Sequence, residues 1–159
     1  METTTTEHGH AAHADGPLNS LAFSATVHCL TGCALGEVVG MVIAISLGWG
    51  DVAQIGLAVG LAYVFGFSLT AVPLVRAGLA AGVVVTTALI ADTVSITIME
   101  VIDNLFVYFV PGAMEAEIDD PLIYAAIAGG FVIAFPFAFW ANRYMIARGT
   151  GHAVVHEYH

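Results

Sequence analysis

The sequence contains no lysine. Its only basic side chains besides histidine are Arg76, Arg143 and Arg148, set against 13 acidic residues, for a net charge of -10. That balance excludes nucleic-acid binding, which needs a basic footprint, and it excludes a polybasic lipid anchor. Charge of either sign is scarce. Only 10% of the 159 residues are charged and 58% are hydrophobic, where a soluble domain carries about a quarter charged residues. The chain is therefore expected to sit in a lipid bilayer. Cysteine is limited to Cys29 and Cys33, and a pair four apart on one helix cannot staple a fold. No positive region precedes the first apolar run, so the start of the chain does not read as a secretory signal. Insertion is expected from the first spanning helix. No glycine-rich loop follows a strand, and no serine–histidine–acid set is suggested. His28 is the only histidine inside an apolar run, too few for a bis-histidine haem within one chain. The one enzyme chemistry that remains open is thiol redox at Cys29 and Cys33.

What is present is four long apolar runs. They predict an all-α integral membrane four-helix bundle with helices at about 18–47, 52–74, 80–110 and 122–146. Each is long enough for a hydrocarbon core of about 30 Å. Residues 1–17 read as a disordered polar tail with His8, His10 and His13. Residues 148–159 form a second tail with His152, His156 and His159. Histidine-rich tracts of this kind are a composition associated with metal binding. Gly48, Trp49, Gly50 and Asp51 predict a short turn at interfacial height. Gly56 and Gly60 read as a close-packing pair in the second helix, and Pro136 is expected to kink the fourth. Residues 111–121 are the longest loop and hold Glu115, Glu117, Asp119 and Asp120. With four spans both termini fall on one side, together with all three arginines, so the positive-inside rule puts the termini in the cytoplasm. A homo-oligomer or a membrane-complex partner is compatible with so small a bundle.

The chemistry concentrates in His28–Met41. On a helix, residues four apart share a face, so Cys29, Cys33, Glu37 and Met41 form one row. His28, Gly32, Gly36 and Gly40 form the row beside it, where small residues let another helix approach closely. The third helix carries a second polar side, with Asp92, Ser95, Met99 and Asp103, extended by Glu100 and Asn104. A carboxylate at the centre of a membrane helix costs on the order of 3 kcal/mol to insert, and such groups mark ion paths or proton relays. Counting about 1.5 Å per residue, Glu37 is expected level with Asp92 and Ser95, and Met41 level with Met99. Glu100 and Asp103 are expected nearer the outer interface, solvated there. With no lysine to neutralise them, the mid-span acids either carry protons and share hydrogen bonds or hold a cation between them. Thiolate and thioether ligands select Cu(I), and imidazole serves copper or zinc. His28, Cys29, Cys33, Glu37, Met41, Asp92 and Met99 are thus the candidate ligands for a transition-metal cation, copper before zinc. Cysteine and methionine are also ordinary packing residues, so a non-catalytic scaffold or accessory subunit is the second reading. A thiol redox pair, Cys29 with Cys33, is the third.

The strings HCLTGCALGEVVGM (28–41), ADTVSITIMEVIDN (91–104), VPGAM (110–114) and RGTGHAVVHEYH (148–159) resemble a family of small prokaryotic membrane proteins described as a domain of unknown function, DUF4396. The likeness covers nearly everything after the amino-terminal tail. It implies a helical membrane fold and, for a prokaryotic chain, a multi-pass protein of the inner membrane. It supplies no activity, ligand or catalytic residue.

Overall fold

A computed structural model of the chain describes residues 9–76, 78 and 80–148, with the side chains at 9–15, 17, 73, 83, 87, 88 and 91 left aside. His8 and the carboxy-terminal histidines His152, His156 and His159 lie outside the described residues. Among the described residues there are four helices: α1 (Gly9–Ser46), α2 (Asp51–Arg76), α3 (Ala81–Phe109) and α4 (Pro121–Ala147). The fold is all-α. α1 starts at Gly9, so residues 9–17 are helical where the sequence suggested disorder. Ala11, Ala12 and Ala14 are strong helix formers, and extending an existing helix is far easier than nucleating one.

The helix ends follow local chemistry. α1 closes at Gly48, whose φ of 66° lets the Trp49 N–H turn back onto the Ala44 carbonyl at 2.9 Å, a glycine-terminated stop. α4 opens with Asp120, whose carboxylate accepts from the Leu122 N–H at 2.8 Å, followed by Pro121 in the first turn. Both are favoured helix starts. Pro136 lies inside α4, which continues through it to Ala147.

Neighbouring helices run antiparallel. α1 and α2 pack most closely, Gly32 against Gly66, Gly36 against Ala62 and Gly40 against Ala58. A Cβ on Gly32 would sit 2.7 Å from the Gly66 Cα, and one on Gly40 would sit 2.5 Å from the Ala58 Cα. The glycine row therefore seats α2. Gly56 and Gly60, expected to pack, meet nothing within 4 Å. They lie on the opposite side of α2 from Ala58, Ala62 and Gly66, because residues two apart on a helix point nearly opposite ways. α2 meets α3 through Tyr63 and Thr97, and α3 meets α4 where Gly130 abuts Asp103. The bundle closes between α4 and α1, where the Arg143 Nε donates to the Asn19 Oδ1 at 2.6 Å.

The distribution of polarity is inverted relative to a water-soluble bundle. Thr26, Glu37, Gln54, Thr70, Asp92, Ser95, Glu100, Asp103 and Asn142 are buried, while Leu47, Phe109, Val132 and Trp140 stand exposed. Leu18–Ser46, Asp51–Arg76 and Pro121–Ala147 are long and apolar enough to cross a membrane. An apolar exterior around a polar interior is what lipid demands of a helical bundle. The chain is a helical membrane protein.

Candidate functional site

The buried polar groups form a column along the bundle. At one end, the Asn142 amide of α4 donates to the Thr26 hydroxyl of α1 at 3.0 Å and to the Ser95 hydroxyl of α3 at 3.1 Å. Thr26 in turn donates to the Ala22 carbonyl at 2.7 Å. A single amide thus ties three helices together. One level further on, the Cys29 thiol faces the Asp92 carboxylate, with Sγ and Oδ1 3.8 Å apart.

The next level holds Cys33 and Glu100, side by side. The Asn104 amide donates to the Glu100 carboxylate at 3.3 Å and to its main-chain carbonyl at 2.9 Å. Beyond it, Glu37 of α1 meets Asp103 of α3 carboxyl to carboxyl. The Glu37 Oε2, the Glu100 Oε1 and both Asp103 oxygens are buried and meet no protein donor in hydrogen-bond geometry. The Phe131 N–H lies beside Asp103 but belongs to the ladder of α4. A hydrogen bond between two carboxyls needs a proton on one of them. A proton on either side chain would let the Glu37 and Asp103 carboxyls share a hydrogen bond. Gly130 makes room for it, since a Cβ there would run into the Asp103 carboxyl.

Beside Glu37, toward the end of the bundle that bears Glu115, Glu117, Asp119 and Asp120, lies a cavity of about 20 Å³. Gln54, Asn104, Met41 and Met114 line it together with Glu37.

The structure corrects the depth comparison. Cys29 meets Asp92, Cys33 lies beside Glu100 and Glu37 beside Asp103, so Glu37 stands about three turns beyond the Asp92 level and about two beyond Ser95. Met99 falls a turn short of Asp103 while Met41 falls a turn beyond Glu37, so the two thioethers are not level. Glu100 and Asp103 are buried at 3% and 0% exposure, not solvated at an interface.

Of the seven proposed ligands, Cys29 and Asp92 are brought together and Cys33 and Glu37 lie along the same column. His28 turns toward α2, its Nε2 3.3 Å from the Thr70 hydroxyl. Met41 lines the cavity, and Met99 is buried in the apolar core. Among the described residues no group of three or more histidine, cysteine, aspartate or glutamate side chains is arranged to hold a metal ion. Cys29 and Cys33 form no disulfide, and both are fully buried.

Three contributors were not singled out from the sequence: Asn142, Gln54 and Thr26. Asn142 and Gln54 are lone amides in apolar runs, and a polar group at membrane depth is itself the signal. Thr26 gives less away, because a threonine in a membrane helix satisfies itself on its own backbone.

Residues 19–151 match the model of a family described as "Domain of unknown function (DUF4396)". No curated protein and no solved structure matches the chain.

Proposed function

The chain belongs to the DUF4396 family, whose description states no activity, and from its own residues we propose that it is a membrane protein that relays protons through its bundle. The relay runs from Asp92 and Cys29, beside the Asn142 amide that ties the helices, to Cys33 and Glu100 and then to the Glu37–Asp103 pair. The observation that carries this reading is that pair: two buried carboxyls beside one another, with no side-chain donor for the Asp103 oxygens or for the Glu37 Oε2. A proton shared there can be passed on, whereas a pair built only to join helices is served by an amide, as Asn142 shows.

In this reading α3, with 29 residues, is the fourth span, since a helix of that length exceeds the bilayer core. The arginines gather at the end where Asn19 meets Arg143, so both termini face the cytoplasm by the positive-inside rule. The membrane is then the inner membrane of a prokaryotic cell. The path lies within one bundle and requires no second copy. The copper or zinc assignment has less support than the proton assignment, because the soft ligands do not converge.

The test is proton uptake by proteoliposomes under an imposed potassium diffusion potential. Wild type is expected to acidify the lumen, and Glu37→Gln is expected to lower that flux by roughly a hundredfold or more, the scale of losing a positioned proton-transfer group. Equal flux from wild type, Glu37→Gln and protein-free vesicles would leave the scaffold reading in its place.

A further inference from the structure

The column has a defined end toward the acidic loop. From the cavity beside Glu37 we infer that one water molecule binds there, bridging the Glu37 carboxyl to Gln54 and Asn104 and carrying the proton onward toward the acidic end of the bundle. This rests on the relay reading and adds to it a ligand and two positioning residues.

Four observations bear on it. First, size: the cavity measures about 20 Å³, and a water needs at least about 10–15 Å³ of such volume, so one molecule fits and a hydrated ion does not. Second, partners: a buried water makes two to four hydrogen bonds, and Glu37, Gln54 and Asn104 supply polar side chains at the lining. Third, need: the Glu37 Oε2 has no protein donor, and Glu37 is only 4% exposed. A buried acceptor left unmatched destabilises the fold, which a bridging water relieves. Fourth, position: Gln54 lies in the first turn of α2 and Met114 in the loop that follows α3. The cavity therefore stands between the carboxyl pair and Glu115, Glu117, Asp119 and Asp120. The remaining lining, Met41, Ile55, Ala58, Val107, Ile123 and Ile127, is apolar, which leaves the water no competing partners.

Gln54 is the residue to change, since Asn104 already donates to Glu100. Gln54→Leu keeps the volume and removes the polar partner, and Gln54→Glu restores an oxygen. In proteoliposomes Gln54→Leu is expected to lose roughly tenfold or more of the proton flux, as for one buried hydrogen-bond partner, and Gln54→Glu to recover part of it. Infrared spectroscopy of wild type in the membrane gives a readout that no variant has to survive. An internal water shows an isolated O–H stretch that moves when H₂¹⁶O is replaced by H₂¹⁸O, and this band is expected to vanish in Gln54→Leu. If wild type conducts, Glu37→Gln does not, and Gln54→Leu conducts like wild type, the bridging water is overturned while the relay stands. Absence of the ¹⁸O-sensitive band in conducting wild type overturns it as well. Flux that follows sodium rather than protons in sodium against choline buffers would make the cavity a cation site and overturn it too. If wild type does not conduct at all, the relay itself fails first.

Discussion

At the scale of single residues, what matters is which side chains have a donor to spare. Glutamate and aspartate accept only, unless one carries a proton. Glu37 and Asp103 lie carboxyl to carboxyl, and no side-chain donor reaches the Asp103 oxygens. Asp103→Asn supplies an amide donor that Glu37 can accept permanently, so it is expected to keep the fold and stop proton flux, measured as for Glu37→Gln. Cys33→Ser keeps a donor for Glu100 and is expected to conduct within roughly tenfold of wild type. Metal analysis of wild type and Cys33→Ser by mass spectrometry is expected to find neither copper nor zinc in stoichiometric amount. Finding stoichiometric copper in wild type alone would restore the soft-ligand site. The polar residues of α1 were legible one by one, because acids and thiols stand out in an apolar run. Their partners were not. Asp103 and Glu100 were assigned to solvent because depth is a property of two helices together, and Asn142 passed unremarked because a lone amide near a helix end resembles an interfacial residue.

At the scale of helices, α1 carries two different faces in adjacent rows. The row Gly32, Gly36, Gly40 meets the backbone of α2. The row Cys29, Cys33, Glu37 meets α3 across the bundle, with α4 closing behind Asp103. Packing without side chains on one face is what lets the polar face stay buried. Gly36→Leu is expected to force α2 away and cost about 1–3 kcal/mol or more by overpacking. It should appear as a lower thermal midpoint in detergent and as aggregation on size exclusion. Gly60→Leu, with open space around it, is expected to leave the midpoint unchanged or raised, by roughly 0.5–1 kcal/mol for removal of a helix glycine. The close-packing row in α1 was legible from its spacing. The same spacing in Gly56 and Gly60 misled, since small residues four apart mark a face but not which neighbour stands against it.

At the scale of the whole molecule, an apolar exterior, a polar interior and arginines confined to one end make one consistent object. The all-α membrane architecture was legible from composition and from run length, because lipid leaves a helical chain few alternatives. The proposed orientation rests on Arg76, Arg143 and Arg148, and under it a reporter fused after His159 is expected to read as cytoplasmic. Introducing several lysines into residues 111–120 should weaken or invert that preference. A relay, as opposed to a scaffold, requires that a proton reside on the Glu37–Asp103 pair. Infrared difference spectroscopy of the protein in lipid, in H₂O against D₂O, observes that proton through the carbonyl stretch of a protonated carboxyl. The account predicts a deuterium-sensitive carboxyl band in wild type that is lost in Glu37→Gln and shifted in Asp103→Asn. A spectrum without such a band, or one in which it survives both substitutions unchanged, would contradict it.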